Sequence, residues 1–218
     1  AGAMDQTAAA LAAGCTRPGT VTETTGTALV MAACTDAPMF RSGHHVTVYR
    51  HALPDKYLYL PIGNTAGMAL RWFRDEFCRD LPAGAAGYAA LDALVQSVPC
   101  GCDGLAFLPF LSGSVDPDAC PEARAAFFGA RLSTTRAHFA RSVMESVAFL
   151  LRDFFGMLNA LGCPADTVYS LGGGARSAVW QQIKADACGR TFRVPACSEA
   201  TAMGAALLAG WGSGLIAP

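Results

Sequence analysis

The sequence predicts an α/β fold, a sheet flanked by helices within one domain, and three observations carry that reading. Short apolar and β-branched runs at residues 20–24, 29–33 and 168–171 have strand length and end at glycine-bearing corners. Residues 134–161 keep a helical period throughout. A hydrophobic fraction of 52% with 23 glycines suits a dense core in which backbones approach one another closely.

Taken in order, the alanine-rich run 7–13 is expected to be the first helix, just after Ala1-Gly2-Ala3-Met4-Asp5-Gln6. Arg17-Pro18-Gly19 is a turn signal, and a strand over 20–24 follows it. Gly26 interrupts the strand and 29–33 resumes it, which makes a hairpin with Thr25-Gly26-Thr27 at the tip. Two further short strands are expected over 47–49 and 57–60. Helices follow over 64–77, with Ala66, Leu70, Trp72 and Phe73 on the apolar side, and over 84–95. Residues 105–110 form a short apolar strand ending at Leu111-Ser112-Gly113, ahead of a loop with Pro117 and Pro121.

Within 134–161, Phe139, Val143, Val147, Leu150, Phe154 and Leu158 recur every three or four residues and define a buried stripe. Arg136, Arg141, Glu145, Arg152 and Asp153 interrupt it as solvated positions or local ion pairs. Gly162 ends the helix. A strand over 168–171 then runs into Gly172-Gly173-Gly174, and Ser177 is placed to cap a helix over 177–187. A last, small-residue helix is expected over 199–209. No repeat or low-complexity linker divides the chain.

Composition excludes several function classes. Charged residues make up 15% of the chain and the net charge is −1, so there is no basic footprint for nucleic acid. The apolar runs are too short or too interrupted to cross a bilayer, and no secretory leader is recognisable, so a soluble, cytoplasmic protein is expected. The nine cysteines are an odd number spread along the chain, unlike a disulfide framework. Cys100-Gly101-Cys102 has one intervening residue where zinc sites have two to four, and His44, His45, His51 and His138 lack a metal-ligand pattern. Packing or surface roles are expected for these residues, and no metal ligand is assigned among them.

Three glycine corners and one acid remain as candidates. Thr25-Gly26-Thr27 is either an ordinary turn or a tip whose N–H groups and hydroxyls meet phosphate oxygens. Gly172-Gly173-Gly174-Ala175-Arg176-Ser177 follows a strand and opens a helix, so a ligand can lie on bare backbone at a positive helix end. Its spacing is neither a Walker loop nor the dinucleotide fingerprint, which favours a base or ribose over a phosphate cradle, with a tight structural turn as the alternative. Glu199-Ala200-Thr201-Ala202-Met203-Gly204-Ala205-Ala206 places small residues for close packing against that glycine corner, and Glu199 is a cap or a ligand contact. Asp5 is a helix cap or, if it faces the hairpin tip, a base for an attacking hydroxyl.

These segments, in this order, resemble the C-terminal domain of the FGGY carbohydrate kinases, and within that family the xylulose kinase group. The matching stretches are Gly2-Ala3-Met4-Asp5-Gln6, Thr25-Gly26-Thr27, residues 108–113 with Pro117 and Arg124, residues 142–149, residues 172–177 and residues 199–206. The resemblance implies a ribonuclease H-like, actin-like ATPase fold, with a mixed central sheet flanked by helices, paired with an N-terminal sugar-binding domain across a cleft. It implies ATP with Mg2+ on this half and a sugar on the other. D-xylulose, giving D-xylulose 5-phosphate, is the favoured acceptor; another pentose, a hexose or a polyol is the alternative, as is a non-catalytic sugar sensor of the same fold.

By the same resemblance, Asp5 is the general base and Gly26 and Thr27 hold the β- and γ-phosphates. Gly173, Gly174 and Ala175 border the adenosine, with Ser177 nearby. A homodimer is implied as well. Two positions depart from the family pattern: Ser114-Val115 stands where Glu-Arg is frequent, and Ala28 where a serine often follows the phosphate motif. Family members are substantially longer, so the chain is expected to be the nucleotide half alone, binding ATP weakly without turning over sugar.

Overall fold

The computed structural model describes residues 2–41 and 46–217; His44 and His45 lie outside the described residues. The element order is α1 (Asp5–Ala12), β1 (Thr20–Thr25), β2 (Leu29–Thr35), β3 (Val48–Arg50), β4 (Tyr57–Tyr59), β5 (Ile62–Gly63), α2 (Gly67–Phe77) and α3 (Gly84–Gln96). Then come β6 (Ala106–Leu108), β7 (Ala126–Phe128), α4 (Arg136–Ala160), β8 (Thr167–Leu171), α5 (Ala178–Cys188), β9 (Thr191–Arg193) and α6 (Ala200–Gly212).

One sheet runs in the order β3-β4-β2-β1-β8-β9, with β5 paired to β2 beside β4. The β1–β8 and β8–β9 pairs are parallel and the remaining pairs antiparallel, so the sheet is mixed as expected. In the antiparallel half, β1 and β2 form a hairpin and β4 inserts between β2 and β3. The parallel half needs crossovers, and α4 and α5 provide helical connections of the required length.

Alternation along the strands sorts side chains into two layers. Leu29, Met31 and Ala33 of β2, Val21 of β1 and Val168 of β8 face the larger core, packed against α4, α2 and α5. Ala32 and Cys34, with Leu58 and Leu60, face the other way onto Ala10 of α1. The helical stripe on α4 is buried as its period requires: Val143, Val147, Phe154 and Leu158 have no exposure. Trp72, Phe107, Phe127 and Phe139 tie the small β6–β7 sheet to this core through stacked and edge-on rings 4.4–6.3 Å apart.

Three strands go beyond the sequence expectation. β5, β7 and β9 are two or three residues long and too short to show an alternation. The helix expected from residue 64 begins at Gly67 instead, because Asn64 and Thr65 are committed elsewhere. Asn64 Nδ2 donates to Ser112 O at 2.9 Å and the Thr65 hydroxyl donates to Pro109 O, which pins the 109–112 loop. Of the charges on α4, Arg136 pairs with Asp80, whereas half-buried Arg141 and buried Glu145 form an i,i+4 pair at 2.7 Å. Glu145 also accepts from Gly101 N at 3.1 Å.

His138 Nδ1 accepts from Thr135 N at 3.2 Å, at the start of α4. His51 is buried, with Nδ1 accepting from Leu53 N and Nε2 on Cys15 O, both at 2.9 Å. Both histidines are packing residues. Cys15, Cys34, Cys78, Cys102 and Cys163 are buried, and burial pushes the Cys15 thiol up to about 12. Such thiols behave as small apolar side chains.

The small residues of α6 correct one expectation. Gly204 packs on α1, not on the glycine corner, since a Cβ there would overlap the Ala8 carbonyl, and Ala202 and Ala205 are exposed. The helices therefore touch backbone to backbone, a contact only glycine permits. Gly204→Ala is expected to destabilise the protein by about 1–3 kcal/mol through this overlap. Gly156→Ala, on the exposed side of α4 with nothing within 4 Å, is expected to stabilise it by about 0.4–1 kcal/mol. Urea unfolding midpoints of the two variants should move in opposite directions.

Candidate functional site

The β1–β2 hairpin is closed by Gly26, Thr27 and Ala28, with Gly26 N donating to Ala28 O at 3.0 Å. The Gly26 N–H therefore points inward rather than to the tip. The tip carbonyls are engaged too: Gly67 N donates to Gly26 O at 2.8 Å, and Ala66 N and Met68 N donate to Thr27 O at 3.0 and 3.3 Å. The first turn of α2 thus holds the hairpin tip through its otherwise unpaired N–H groups. Gly67 is required there, since a Cβ would overlap the Gly26 carbonyl. Thr27 remains exposed.

The glycine corner follows β8 as a single 3-10 turn, Gly173–Arg176. Its glycines have different duties. Gly172 has φ of 78°, and a Cβ there would lie 2.9 Å from Thr25 O. A Cβ on Gly174 would lie 2.5 Å from Thr25 Cγ2. Both glycines let the corner rest on Thr25. Gly173 has nothing within 4 Å of its Cβ position and faces open space. Ser177 then caps α5, accepting from Trp180 N at 3.0 Å while its hydroxyl donates to Asp92 at 2.8 Å.

β1 and β8 are adjacent and parallel, so the hairpin tip and the glycine corner stand side by side at their carboxyl ends. Between them and the α2 and α3 helices lies a cavity of about 580 Å³. Gly26, Thr27, Gly173, Gly174 and Ser177 all line it, and Tyr88, Asp92 and Trp180 form its far wall. The structure brings these five expected residues into one pocket.

Ala175 lies on the opposite side of the corner, where a second cavity of about 370 Å³ is bordered by Gln6, Thr24, Gly173, Arg176 and Glu199. Asp5 is exposed at the first residue of α1, its Oδ1 accepting from Gln6 N at 2.6 Å, and its neighbour Gln6 borders that second cavity. Glu199 precedes α6 without a side-chain cap bond, so it borders this cavity rather than closing the helix. Among the described residues, no group of three or more His, Cys, Asp or Glu side chains converges as a metal cage.

Two residues of this region carried no sequence signal. Glu23 of β1 and Lys184 of α5 form an ion pair at 2.7 Å with both side chains wholly buried. Thr25 Oγ1 donates to Glu23 Oε2 at 2.7 Å, and the Ser170 hydroxyl donates to Glu23 Oε1. A lone acid within Thr20–Thr25 and a lone base in an amphipathic helix look like solvated positions. Only the two-residue strand period, which sets Glu23 on the same face as Val21 and Thr25, hints otherwise.

Burial raises the Asp92 carboxyl above the ordinary aspartate range, partly opposed by the Ser177 hydroxyl. A raised folded pKa means that the charged form costs stability above it, and that this cost fades as pH falls toward the ordinary value of 3.8. Asp92→Asn, which can still accept from Ser177, is therefore expected to raise Tm at pH 7 and to lose that advantage near pH 4. Equal shifts at both pH values would exclude burial as the cause.

Comparison with known proteins matches residues 21–213 to the C-terminal domain of the FGGY family of carbohydrate kinases. A gluconokinase of Bacillus subtilis is 30% identical over 99% of this chain and 43% of its own length. A glycerol kinase of Synechocystis is 35% identical over 94% of this chain and 42% of its own. The crystal structure of a xylulose kinase from Rhodospirillum rubrum superposes with a TM-score of 0.87 at 35% identity, covering 97% of this chain and 42% of the other. The chain therefore spans less than half the length of these relatives. Among the described residues, no helix is long and apolar enough to cross a membrane. The mixed sheet with its flanking helices is the actin-like ATPase fold of those kinases, and the chain belongs to the FGGY family of carbohydrate kinases as a C-terminal domain.

Proposed function

We propose that this chain is the nucleotide-holding half of an ATP-dependent sugar kinase that moves the γ-phosphoryl group to a sugar hydroxyl. The observation that carries the proposal is the meeting of the hairpin tip and the glycine corner in one cavity, at the carboxyl ends of adjacent parallel strands. Its volume of about 580 Å³ fits a nucleotide, and its two ends differ as the two ends of a nucleotide do. The exposed Thr27 hydroxyl suits phosphate oxygens, and Gly26, with no side chain, lets them come close to the tip. The bare Gly173 and Gly174 backbone, with Ser177 beyond it, suits a ribose and base; Ala175 borders the same corner from behind.

ATP would supply the transferable phosphoryl group, and Mg2+ would be held largely by phosphate oxygens and water, as that ion usually is. Asp5 would take the proton from the sugar hydroxyl as its oxygen attacks the γ-phosphorus and the bond to the bridging oxygen of the departing ADP breaks. The sugar would be positioned by a preceding domain. D-xylulose is the favoured acceptor, in keeping with the likeness to a xylulose kinase structure. A sugar acid or polyol is the second reading, because a gluconokinase and a glycerol kinase are also similar, at 30% and 35% identity.

Gly173→Leu separates binding from folding: its side chain enters open space, so unfolding should be unchanged while ADP affinity measured by calorimetry falls at least tenfold. Unchanged affinity would remove the cavity from consideration. In an enzyme joining this chain to its sugar-binding half, Asp5→Ala should lower sugar-dependent ADP release by about 100-fold or more with nucleotide binding intact. A panel of ketopentoses, aldopentoses, sugar acids and polyols identifies the acceptor. Nucleotide binding with no sugar-stimulated turnover would turn the reading toward a sensor.

A further inference from the structure

The buried charges beneath the cavity have no place in the chemistry described so far. Glu23 and Lys184 have no side-chain exposure and are 161 residues apart in sequence. A buried ion pair is a poor source of stability, because removing both ions from water offsets most of their attraction. What this one does have is connections.

The Glu23 carboxylate collects Lys184 Nζ, the Ser170 hydroxyl and the Thr25 hydroxyl. Ser170 sits opposite Glu23 on β8, two residues before the glycine corner begins. Thr25 immediately precedes Gly26 of the hairpin tip. Lys184 sits on α5, which starts at the Ser177 cap, and its ammonium lies 5.4 Å from the ring of Trp180 in the cavity wall. The hairpin, the strand leading to the glycine corner and α5 are therefore tied to one carboxylate.

The tie has a geometric target. Gly174 rests on the Thr25 side chain, while Gly172 rests on the Thr25 carbonyl and Thr24 Cγ2, so the Thr25 rotamer sets how closely the corner approaches the tip at Gly174. The hydrogen bond from its Oγ1 to Glu23 selects that rotamer. We propose that the buried Glu23–Lys184 pair is a positioning device for a nucleoside diphosphate or triphosphate: by holding Thr25, it sets the span between the phosphate end and the nucleoside end of the cavity. The proposal rests on the nucleotide reading above. Neither residue touches the ligand; both act through Thr25.

The test compares affinities for ADP and adenosine, measured by calorimetry on the full chain, with Tm recorded alongside. A residue that merely supports the fold changes both affinities together, whereas a misplaced tip costs the phosphate end alone. Replacing both charges, E23L with K184M, should leave adenosine affinity within about twofold and lower ADP affinity about tenfold. Thr25→Val keeps the shape of the side chain and removes the hydroxyl that Glu23 holds, and should do the same in a stably folded protein. E23Q with K184M restores an uncharged acceptor for Thr25 and should recover most of the ADP affinity.

Equal loss for ADP and adenosine, or wild-type ADP affinity in folded E23L/K184M and Thr25→Val, overturns the inference alone. If E23L/K184M does not fold, Thr25→Val decides. A wild-type chain that binds adenosine and ADP equally overturns the inference too, and one that binds neither removes the nucleotide reading and the inference with it.

Discussion

The cavity exists because a threonine side chain rests on glycine backbone. Thr25 ends β1, and the corner that ends β8 can approach it only where Gly172 and Gly174 have no side chain to keep it away. Parallel pairing of the two strands brings both ends to one edge of the sheet, and this contact then closes them on each other. Packing of α3 and α5 beside the corner, the Ser177 cap and the Asp92 hydrogen bond all presuppose that closure. Loss of a cap weakens one helix, whereas loss of the Thr25 contact would separate the two halves of the pocket.

The rest of the sheet makes this edge rigid. On one face, α4 covers the strands with a mainly apolar buried stripe; on the other, α1 lies against Ala32 and Cys34 closely enough that Ala10 is wholly buried. With both faces covered, the strands have little freedom to shear, and the loops at their ends inherit that fixity. The proposed nucleotide site, with bare backbone at Gly173, needs such support, since backbone groups cannot adjust by changing rotamer.

Much of this was legible in the chain. The hairpin, the glycine corner, the α4 stripe and the Ser177 cap are local patterns, each set by residues a few positions apart. The resemblance to a kinase family rests on local stretches in order, the hairpin tip and the glycine corner among them. Pairings across long sequence separations were not legible. Nothing in Glu23 names Lys184, and nothing in the small residues of α6 says whether they meet the corner or α1. The helix expected from residue 64 had good periodicity, but Asn64 and Thr65 bond to a loop more than forty residues away instead. Local propensity ranks conformations, and tertiary hydrogen bonds decide among those that rank closely.

The hold of α2 on the hairpin changes what kind of part the tip is. Its carbonyls are bonded to the N–H groups of Ala66, Gly67 and Met68, and four to six residues further on the same helix places Trp72 against Phe107 of the small sheet. The tip is thus one end of a strut whose other end is anchored in an aromatic cluster. A push on that cluster from outside would arrive at the tip as a displacement of its backbone, with no flexible loop between to absorb it.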